Sequence, residues 1–493
     1  MPENESRGLK DHLLSALKSQ ARGKRAFELC ILRSQPKRSH ALFPWASESS
    51  VKIYVEYEML ILSEKAVSSS ESEETKNNGQ NGETARFVPV YGLETAIYTI
   101  PSTSTCLIYV SKADTTGLLP TPAPSRVLTN AYLRYYLQNP PHQSSSLRIH
   151  VFARAQDQYL FPGSIENKAK RVLPDNVLCK WWREVLGDSA AQVTVEAKKQ
   201  SIGQDISMYY LLGGFDFGES LAVLSRAPEP SEPSAPQWQY GHPYAKAKPP
   251  LPVPNPEQIT INDLIPAFQD DPKARQMTEW ASSPIPYAGQ DGDYDEIAEE
   301  IRKLESTSPA LYELRSREIQ EQKDTERIKL TKDKERDIDG FWEVMGNRGE
   351  CASGHVAGFF VVVSEQGTAA PAPTEENNAE KQSETQSIST HLTKAVKSAT
   401  ASLPHATYVK LWSQIHNVNY ASVDKAAEGY AKWKADLEHA CKRTGSTDAD
   451  FSAAVYGSVD VDNAVTVPAE SLKRAEPPKQ VNTLQVKKKK KVA

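Results

Sequence analysis

Residues Leu107–Gly117 read L-I-Y-V-S-K-A-D-T-T-G, and the fold is decided here. Leu107 to Val110 form a short run of strand-favouring residues. Branched and aromatic side chains suit a pleated, half-buried surface. The run passes directly into Ser111–Thr116, a polar stretch closed by Gly117, which is turn chemistry. The chain on either side alternates between strand and helix patterns. Upstream, Leu13, Leu14 and Leu17 share one side of a short amphipathic helix over Leu9–Leu17, and Phe27–Arg33 reads as a strand. Val51–Leu62 alternates, with Ile53, Val55 and Tyr57 on one face and Tyr54, Glu56 and Glu58 on the other, and order resumes at Arg86–Ile100. Downstream, Leu128, Tyr132, Leu133 and Tyr136 are in register for a helix over Ser125–Asn139, and Leu147–Ala153 alternates as a strand. Strands interleaved with helices predict an α/β domain, not a sandwich or a bundle.

Further on, Pro174 and Asp175 open a helix carrying Leu178, Trp181, Trp182, Val185 and Leu186. Adjacent helical residues point about 100° apart, so one tryptophan can pack inward while the other lines a cleft. Ile202–Leu224 is read as short elements around tight turns at Gly213, Gly214 and Gly218. Trp238–Tyr244 is an aromatic cluster in a turn-rich setting. Phe268–Arg275, F-Q-D-D-P-K-A-R, supports two readings. In the first, Asp270 or Asp271 caps a helix begun by Pro272 and carrying Lys273 and Arg275. In the second, the paired carboxylates handle a proton. Glu296–Arg336 has the composition of a long, salt-bridged helix broken around Ser306–Pro309, ending at Asp339–Trp342. Val356–Val363 is a buried strand or a short buried helix, Leu403–Tyr408 starts a helix, and Val423–Cys441 is a helix that Gly445 can stop.

Composition bounds the remainder. The chain has 493 residues, 25% of them charged, 33 prolines and a formal net charge of -5. That length allows two or three domains, or one large domain with insertions. The segments near 68–83, 227–250 and 365–390 are too polar to bury and are predicted as disordered insertions. The segment 446–493 is predicted as a flexible basic tail ending in five lysines, suited to nuclear import or to an acidic partner. Five cysteines, odd in number and far apart, argue for reduced thiols and against a disulfide framework or a cysteine zinc site. The polar N-terminus does not read as a signal peptide, and no apolar run is long enough to span a membrane. No phosphate-binding G-x-x-x-x-G-K-[S/T], H-E-x-x-H or G-x-S-x-G occurs, the kinase H-R-D and D-F-G set is not present together, and the isolated histidines support neither a metal site nor a Ser-His-Asp arrangement.

Four segments in this order carry a resemblance: L-I-Y-V-S-K-A-D-T-T-G, Y-L-F-P-x-S with K-x-K-R, K-W-W, and F-Q-D-D-P-K-A-R. Together they resemble the chaperone-dependent fungal histone H3 lysine acetyltransferases, distant structural relatives of the metazoan CBP-type enzymes. The likeness runs from about Phe27 to Phe360, then covers Val423–Arg443 and the lysine tail. It implies a CBP-like acetyltransferase fold over residues 1–445, a mixed central sheet surrounded by helices around a deep acetyl-CoA site, and no metal. It implies acetyl transfer to newly synthesised histone H3 in H3–H4, at a core-region lysine near DNA entry and exit and at tail lysines. Replication-coupled nucleosome assembly, genome stability and a nuclear location follow from it. So do histone chaperones of the nucleosome-assembly-protein and anti-silencing classes as partners, with direct DNA contact secondary. By resemblance, Tyr109, Val110, Lys112, Ala113, Phe161 and Trp181 line the cofactor channel, and Lys168, Lys170 and Arg171 meet the CoA phosphates. Trp182 stands near the acetyl-transfer point, Asp114, Asp270 and Asp271 are the carboxylates of the active centre, and Lys273 is autoacetylated. Asp271 is favoured over Asp270, without assigning the base. The family pattern departs after Gly117, where the loop looks short, and over Ser283–Glu335, which aligns poorly. The competing reading is a noncatalytic chromatin-binding protein on the same fold. A nucleic-acid-binding protein is a weaker third reading, because no DNA-reading module accompanies the basic tail.

Overall fold

The structure is a computed structural model. It describes residues 8–46, 50–66, 86–224, 236–244, 249–252, 259–282, 338–348, 351, 355–366, 402–445, 447–448 and 451–464. The predicted insertion 68–83, the helix predicted over 296–336 and the lysine tail lie outside them, as does the predicted 365–390 insertion from 367 onward; its first two residues instead end a strand. Among the described residues no helix is long and apolar enough to cross a membrane.

The first half alternates as its pattern requires. It runs α1 (Leu9–Gln20), β1 (Gly23–Arg33), β2 (Lys37–Ser39), β3 (Ile53–Lys65), β4 (Phe87–Ile100), β5 (Thr105–Thr115), α2 (Ser125–Gln138), β6 (Ser146–Ala153) and α3 (Asp175–Lys199). The second half is β7 (Gln204–Leu212), α4 (Phe217–Leu224), β8 (Trp238–Tyr240), α5 (Ile261–Leu264), α6 (Pro272–Ser282), α7 (Ile338–Gly346), β9 (Gly358–Gln366), α8 (His405–His416), α9 (Val423–Arg443) and β10 (Tyr456–Asn463). The strands form one mixed sheet in the order β10-β1-β3-β4-β5-β6-β9-β7-β8, with β2 beside β3. Among the described strands only β5–β6 and β7–β8 are parallel pairs. A parallel neighbour needs a crossover, and α2 supplies the one between β5 and β6.

Strand periodicity assigns the two faces. Leu29, Leu60, Leu93, Ile108, Ile149 and Met208 point to one layer, which α1, α2 and α3 cover. On the other face Cys30 and Ile61 pack under α8 and α9, through Leu411, Tyr430 and Trp433. Further along that face, Phe359 and Leu211 meet Ile261, Met277, Phe341 and Met345 from α5, α6 and α7. Leu107 and Tyr109 meet Phe268. Fully burying such side chains contributes about 1.5–3 kcal/mol each. Buried charges tie layers together: Glu58 accepts from Tyr136 at 3.0 Å and pairs with Arg33, while Glu28 pairs with Lys434 at 2.9 Å.

Several expectations are corrected. The polar stretch Ser111–Thr115 is not a turn; β5 continues through it because β4 pairs with it as far as Thr115. Part of the segment assigned to a 227–250 insertion is built in. Trp238–Tyr240 pairs with β7, Trp238 packs against the core, and Tyr244 is buried against Trp342. Asp339–Trp342 does not end a helix but lies within α7, whose Ile338, Phe341, Trp342 and Met345 repeat at helical spacing on its buried side. Val356–Val363 resolves to strand, since β9 lies between β6 and β7 with both edges paired. Gly445, at φ +88°, does follow the last helix. The chain nevertheless does not become a loose tail at 446: Phe451 and Val455 are buried, and β10 pairs with β1 from Gly23 to Cys30.

Candidate functional site

Strands β5 and β6 run side by side from Thr105–Ser146 to Val110–Val151, and their ladder ends there. Beyond that point β5 continues on β4 alone, and β6 on β9 alone. A cavity of about 430 Å³ opens at this parting. In open α/β sheets the crevice at the carboxyl ends of parting parallel strands is a natural ligand position. The walls are Val110–Ala113 from β5, Phe152–Gln156 at the end of β6, Leu118–Pro122, and Leu178, Trp181 and Trp182 from α3. Segment 168–173 forms the remaining side. The volume suits an extended organic ligand, and the walls combine apolar side chains with a few polar groups, as small-molecule sites do.

Two devices hold the walls. Gly117 lies at φ +63°, where a Cβ would collide with the Lys170 backbone, so the loop after β5 can close on segment 168–173 only with glycine there. Asp114 is the second. Its carboxylate accepts the backbone N–H of Thr115 (2.8 Å), Tyr159 (2.8 Å) and Leu160 (3.0 Å), and pairs with Lys170 Nζ at 2.9 Å. Lys170 also donates to Ser164 Oγ at 2.6 Å. Asp114 is therefore buried with its lone pairs engaged, and it fastens β5 to the 159–170 loop. Asp175, at the start of α3, plays a similar part, accepting Ala155 N–H at 2.7 Å.

Of the side chains marked in the sequence, Val110, Lys112, Ala113, Asp114, Lys168, Lys170, Arg171, Trp181 and Trp182 all line the cavity. They do not stand alike. Lys112 Nζ pairs with Glu94 at 3.0 Å and Lys170 with Asp114, so neither ammonium is directed to a ligand. Lys168 and Arg171 are exposed on the rim. Trp181 and Trp182 meet edge to face with centroids 4.8 Å apart; Trp182 is buried in the core and Trp181 half-buried, yet both reach the cavity.

Tyr109 and Phe161 are not among the lining residues. Strand alternation turns Tyr109 to the opposite face, where it stacks on Phe268 at 4.3 Å with the rings 2° from parallel. Phe161 is buried against Tyr420 beneath α8 and α9. Asp270, Asp271 and Lys273 also lie on that opposite face. Asp271 caps α6, accepting Lys273 N–H at 2.8 Å with Pro272 at the first helical position, and its other oxygen pairs with Lys273 Nζ. Both side chains are buried, whereas Asp270 is exposed. Burial pushes the Lys273 ammonium toward losing its proton, and Asp271 opposes that pull. The Lys273 ammonium lies 4.8 Å over the Phe359 ring, and Phe359 packs 5.0 Å from Phe152, a cavity wall. One layer of rings thus separates the Asp271–Lys273 pair from the cavity.

The sequence reading missed Arg154, Gln156, Tyr159, Val172 and Leu173 as lining residues. The position of Arg154 directly after a strand whose neighbour departs was the available signal. The phenol of Tyr159 donates to the Arg154 carbonyl, and burial pushes its pKa up to about 12. Among the described residues no group of His, Cys, Asp and Glu gathers to hold a metal ion.

The histone acetyltransferase KAT11-type domain matches this chain over residues 13–139 and 125–436. Histone acetyltransferase rtt109 of Aspergillus flavus is 26% identical over 296 residues, covering 56% of this chain and 44% of that protein. Histone acetyltransferase rtt109 of Schizosaccharomyces pombe is 32% identical over 120 residues, covering 23% of this chain and 32% of that one. The chain therefore spans less than half the length of these curated relatives. The crystal structure of Rtt109 from Aspergillus fumigatus shares the fold, with a TM-score of 0.58 at 21% identity over 92% of this chain and 99% of that one.

Proposed function

The chain belongs to the family of the histone acetyltransferase KAT11-type domain, and on that premise we propose that it transfers the acetyl group of acetyl-CoA to lysines of histone H3 in H3–H4. The parting of β5 from β6 carries this reading. The two strand edges it uncovers face one cavity and offer backbone N–H and C=O groups to the amides of a pantetheine arm, as an added strand would. Lys168 and Arg171 on the rim suit the CoA phosphates. Trp181, Trp182, Leu178 and Val110 supply apolar walls for the thiol end.

Acetyl transfer needs a neutral amine, and neutralising a lysine at pH 7 costs about 4–5 kcal/mol from its ordinary pKa near 10.4. Asp114 and Asp271 do not suit the task of base, because each is engaged in a buried ion pair. Asp270 is solvent-facing but lies across the sheet. The chemistry proposed here therefore rests on alignment of the amine with the thioester between Tyr159 and the paired tryptophans. The amine adds to the thioester carbonyl, which backbone N–H groups of the Ser111–Ala113 edge polarise; the C–S bond then breaks, CoA leaves as a thiolate that takes a proton from water, and the amine's proton passes to water. Lys273 is proposed as the autoacetylated residue. Acetylation would leave a neutral amide where a charge is now buried, and it requires α6 to open first.

The finer terms of the proposal are newly synthesised H3 as substrate, a core-region lysine near DNA entry and exit with tail lysines secondary, chaperones of the nucleosome-assembly-protein and anti-silencing classes, and a nuclear location. Mass-spectrometric mapping after incubation with acetyl-CoA and H3–H4, with and without each chaperone class, tests them. Acetylated H3 lysines whose pattern changes with the chaperone are expected. Histones left unmodified under every condition would remove the catalytic reading.

A further inference from the structure

Lys112 pairs with Glu94 in the β4–β5 ladder and Val110 with Thr95, so Ser111 is the extra residue of a β-bulge. Bulges bend a strand and re-aim its side chains. This one sits where β5 leaves β6, and Ser111, Lys112 and Ala113 form a cavity wall. The Glu94 carboxylate is buried and gathers the groups around the bulge. One oxygen accepts Ser111 Oγ–H at 2.9 Å and Lys112 Nζ–H at 3.0 Å. The other accepts the indole N–H of Trp412 at 2.6 Å, with His416 Nε2 at 3.8 Å. Lys112 Nζ also lies 5.2 Å over the Trp412 ring, and that ring meets His416 with centroids 3.9 Å apart and planes tilted by 30°. Trp412 and His416 belong to α8, which the chain reaches some 250 residues after β6. A single carboxylate thus pins a bulge in the cavity wall to a helix distant in sequence.

We propose that Glu94 is a positioning residue for the acetyl-CoA site, holding the Ser111 bulge in its open form through the docked indole of Trp412. This rests on the proposed function, since it assigns the ligand of the cavity. Without the clamp the bulge can slip back toward regular pairing, which turns Ser111–Ala113 by one position and moves their side chains to the other face. Charge-assisted hydrogen bonds to a buried carboxylate are the strong kind, so their loss is expected to register at the cavity.

The test is calorimetric titration of the full chain with acetyl-CoA, for the native protein, Glu94→Gln, Trp412→Phe and the double variant. Gln keeps the shape but removes the charge opposite Lys112 and one of the two acceptor oxygens, and Phe keeps an aromatic ring but removes the N–H donor. Glu94→Gln is expected to raise the acetyl-CoA Kd roughly tenfold and Trp412→Phe by less, with the double variant no worse than Glu94→Gln alone, as for coupled neighbours. Turnover at saturating acetyl-CoA is expected to fall as well, because the same edge carries the N–H groups that polarise the carbonyl, while far-UV circular dichroism at the titration temperature stays native, a split that general loss of folding would not produce. If Glu94→Gln fails to fold, Trp412→Phe carries the comparison. Native Kd in the variants, or effects that simply multiply in the double variant, would overturn the proposal. Failure of the native chain to bind acetyl-CoA would instead overturn the assignment of the cavity.

Discussion

Replacing Asp114 with Asn separates a structural carboxylate from a chemical one. The substitution preserves size but removes the charge opposite Lys170, whose side chain is 3% exposed. It also puts an amide NH2 where one oxygen now accepts backbone N–H groups of Tyr159 and Leu160. Breaking one side of a buried ion pair costs about 3–5 kcal/mol, because the remaining charge stays desolvated. Ser164 Oγ still receives Lys170, so the lower end, about 3 kcal/mol, is expected. Urea unfolding monitored through tryptophan fluorescence measures it. Adding Lys170→Met should recover much of the loss, since removing both charges leaves none unpaired. Acetyl-CoA affinity should fall with Asp114→Asn, because the 159–170 loop that carries Lys168 is no longer fastened to β5. An Asp114→Asn protein of native stability and native acetyl-CoA affinity, yet with turnover reduced a hundredfold or more, would refute the reasoning and make Asp114 a participant in the chemistry.

Three further outcomes are expected. Reversing the rim charges with Lys168→Glu and Arg171→Glu should raise the acetyl-CoA Kd by roughly tenfold or more and flatten its salt dependence, because these side chains face water and their attraction is screened; thermal melting should not move. Asp271→Asn leaves the Lys273 ammonium buried without its carboxylate and should cost about 3–5 kcal/mol in urea unfolding, whereas Lys273→Met combined with Asp271→Asn should cost far less. His150 is buried and held neutral, well below the ordinary 6.5, by burial and then by Lys273 and Arg148. Its unfolded form binds a proton that the folded form refuses, so it destabilises the fold as pH drops below about 6.5, by up to roughly 1.4 kcal/mol per pH unit. Stability measured from pH 7 to 5 should fall less steeply in His150→Phe than in the native chain; equal slopes would show that His150 is not the titrating group.

Much of the fold was legible because its signals are local. The helical register of Leu128, Tyr132 and Tyr136 and the spacing of Ala426, Tyr430, Trp433 and Leu437 reappear as buried faces; the alternation in Val51–Leu62 holds at Ile53 and Val55, whereas from Glu58 onward both faces of β3 are buried. Asp271 capping a helix begun by Pro272 was one of two readings of its segment, and the geometry realises it. What failed depends on partners far along the chain. β10 pairs with β1 across more than 400 residues, and Tyr456–Asn463 alone is polar enough to pass for a tail. Ser111–Thr115 reads as a turn until β4 is placed beside it. The site divides in the same way. Cations could be identified by type, but only the fold shows that Glu94 and Asp114 engage Lys112 and Lys170 while Lys168 and Arg171 face outward. Tyr109 lies off the cavity wall because the strand's alternation puts it and Val110 on opposite faces.

Amide hydrogen exchange of the full chain with and without acetyl-CoA addresses the cavity assignment most directly. Slowed exchange is expected along the uncovered edge Val110–Thr116, at the end of β6 over 153–159, and in segment 168–173, with α6 around Lys273 unchanged. Binding that leaves those three segments exchanging as before, or that protects only the opposite face around Tyr109 and Asp271, would contradict the placement of acetyl-CoA between β5 and β6.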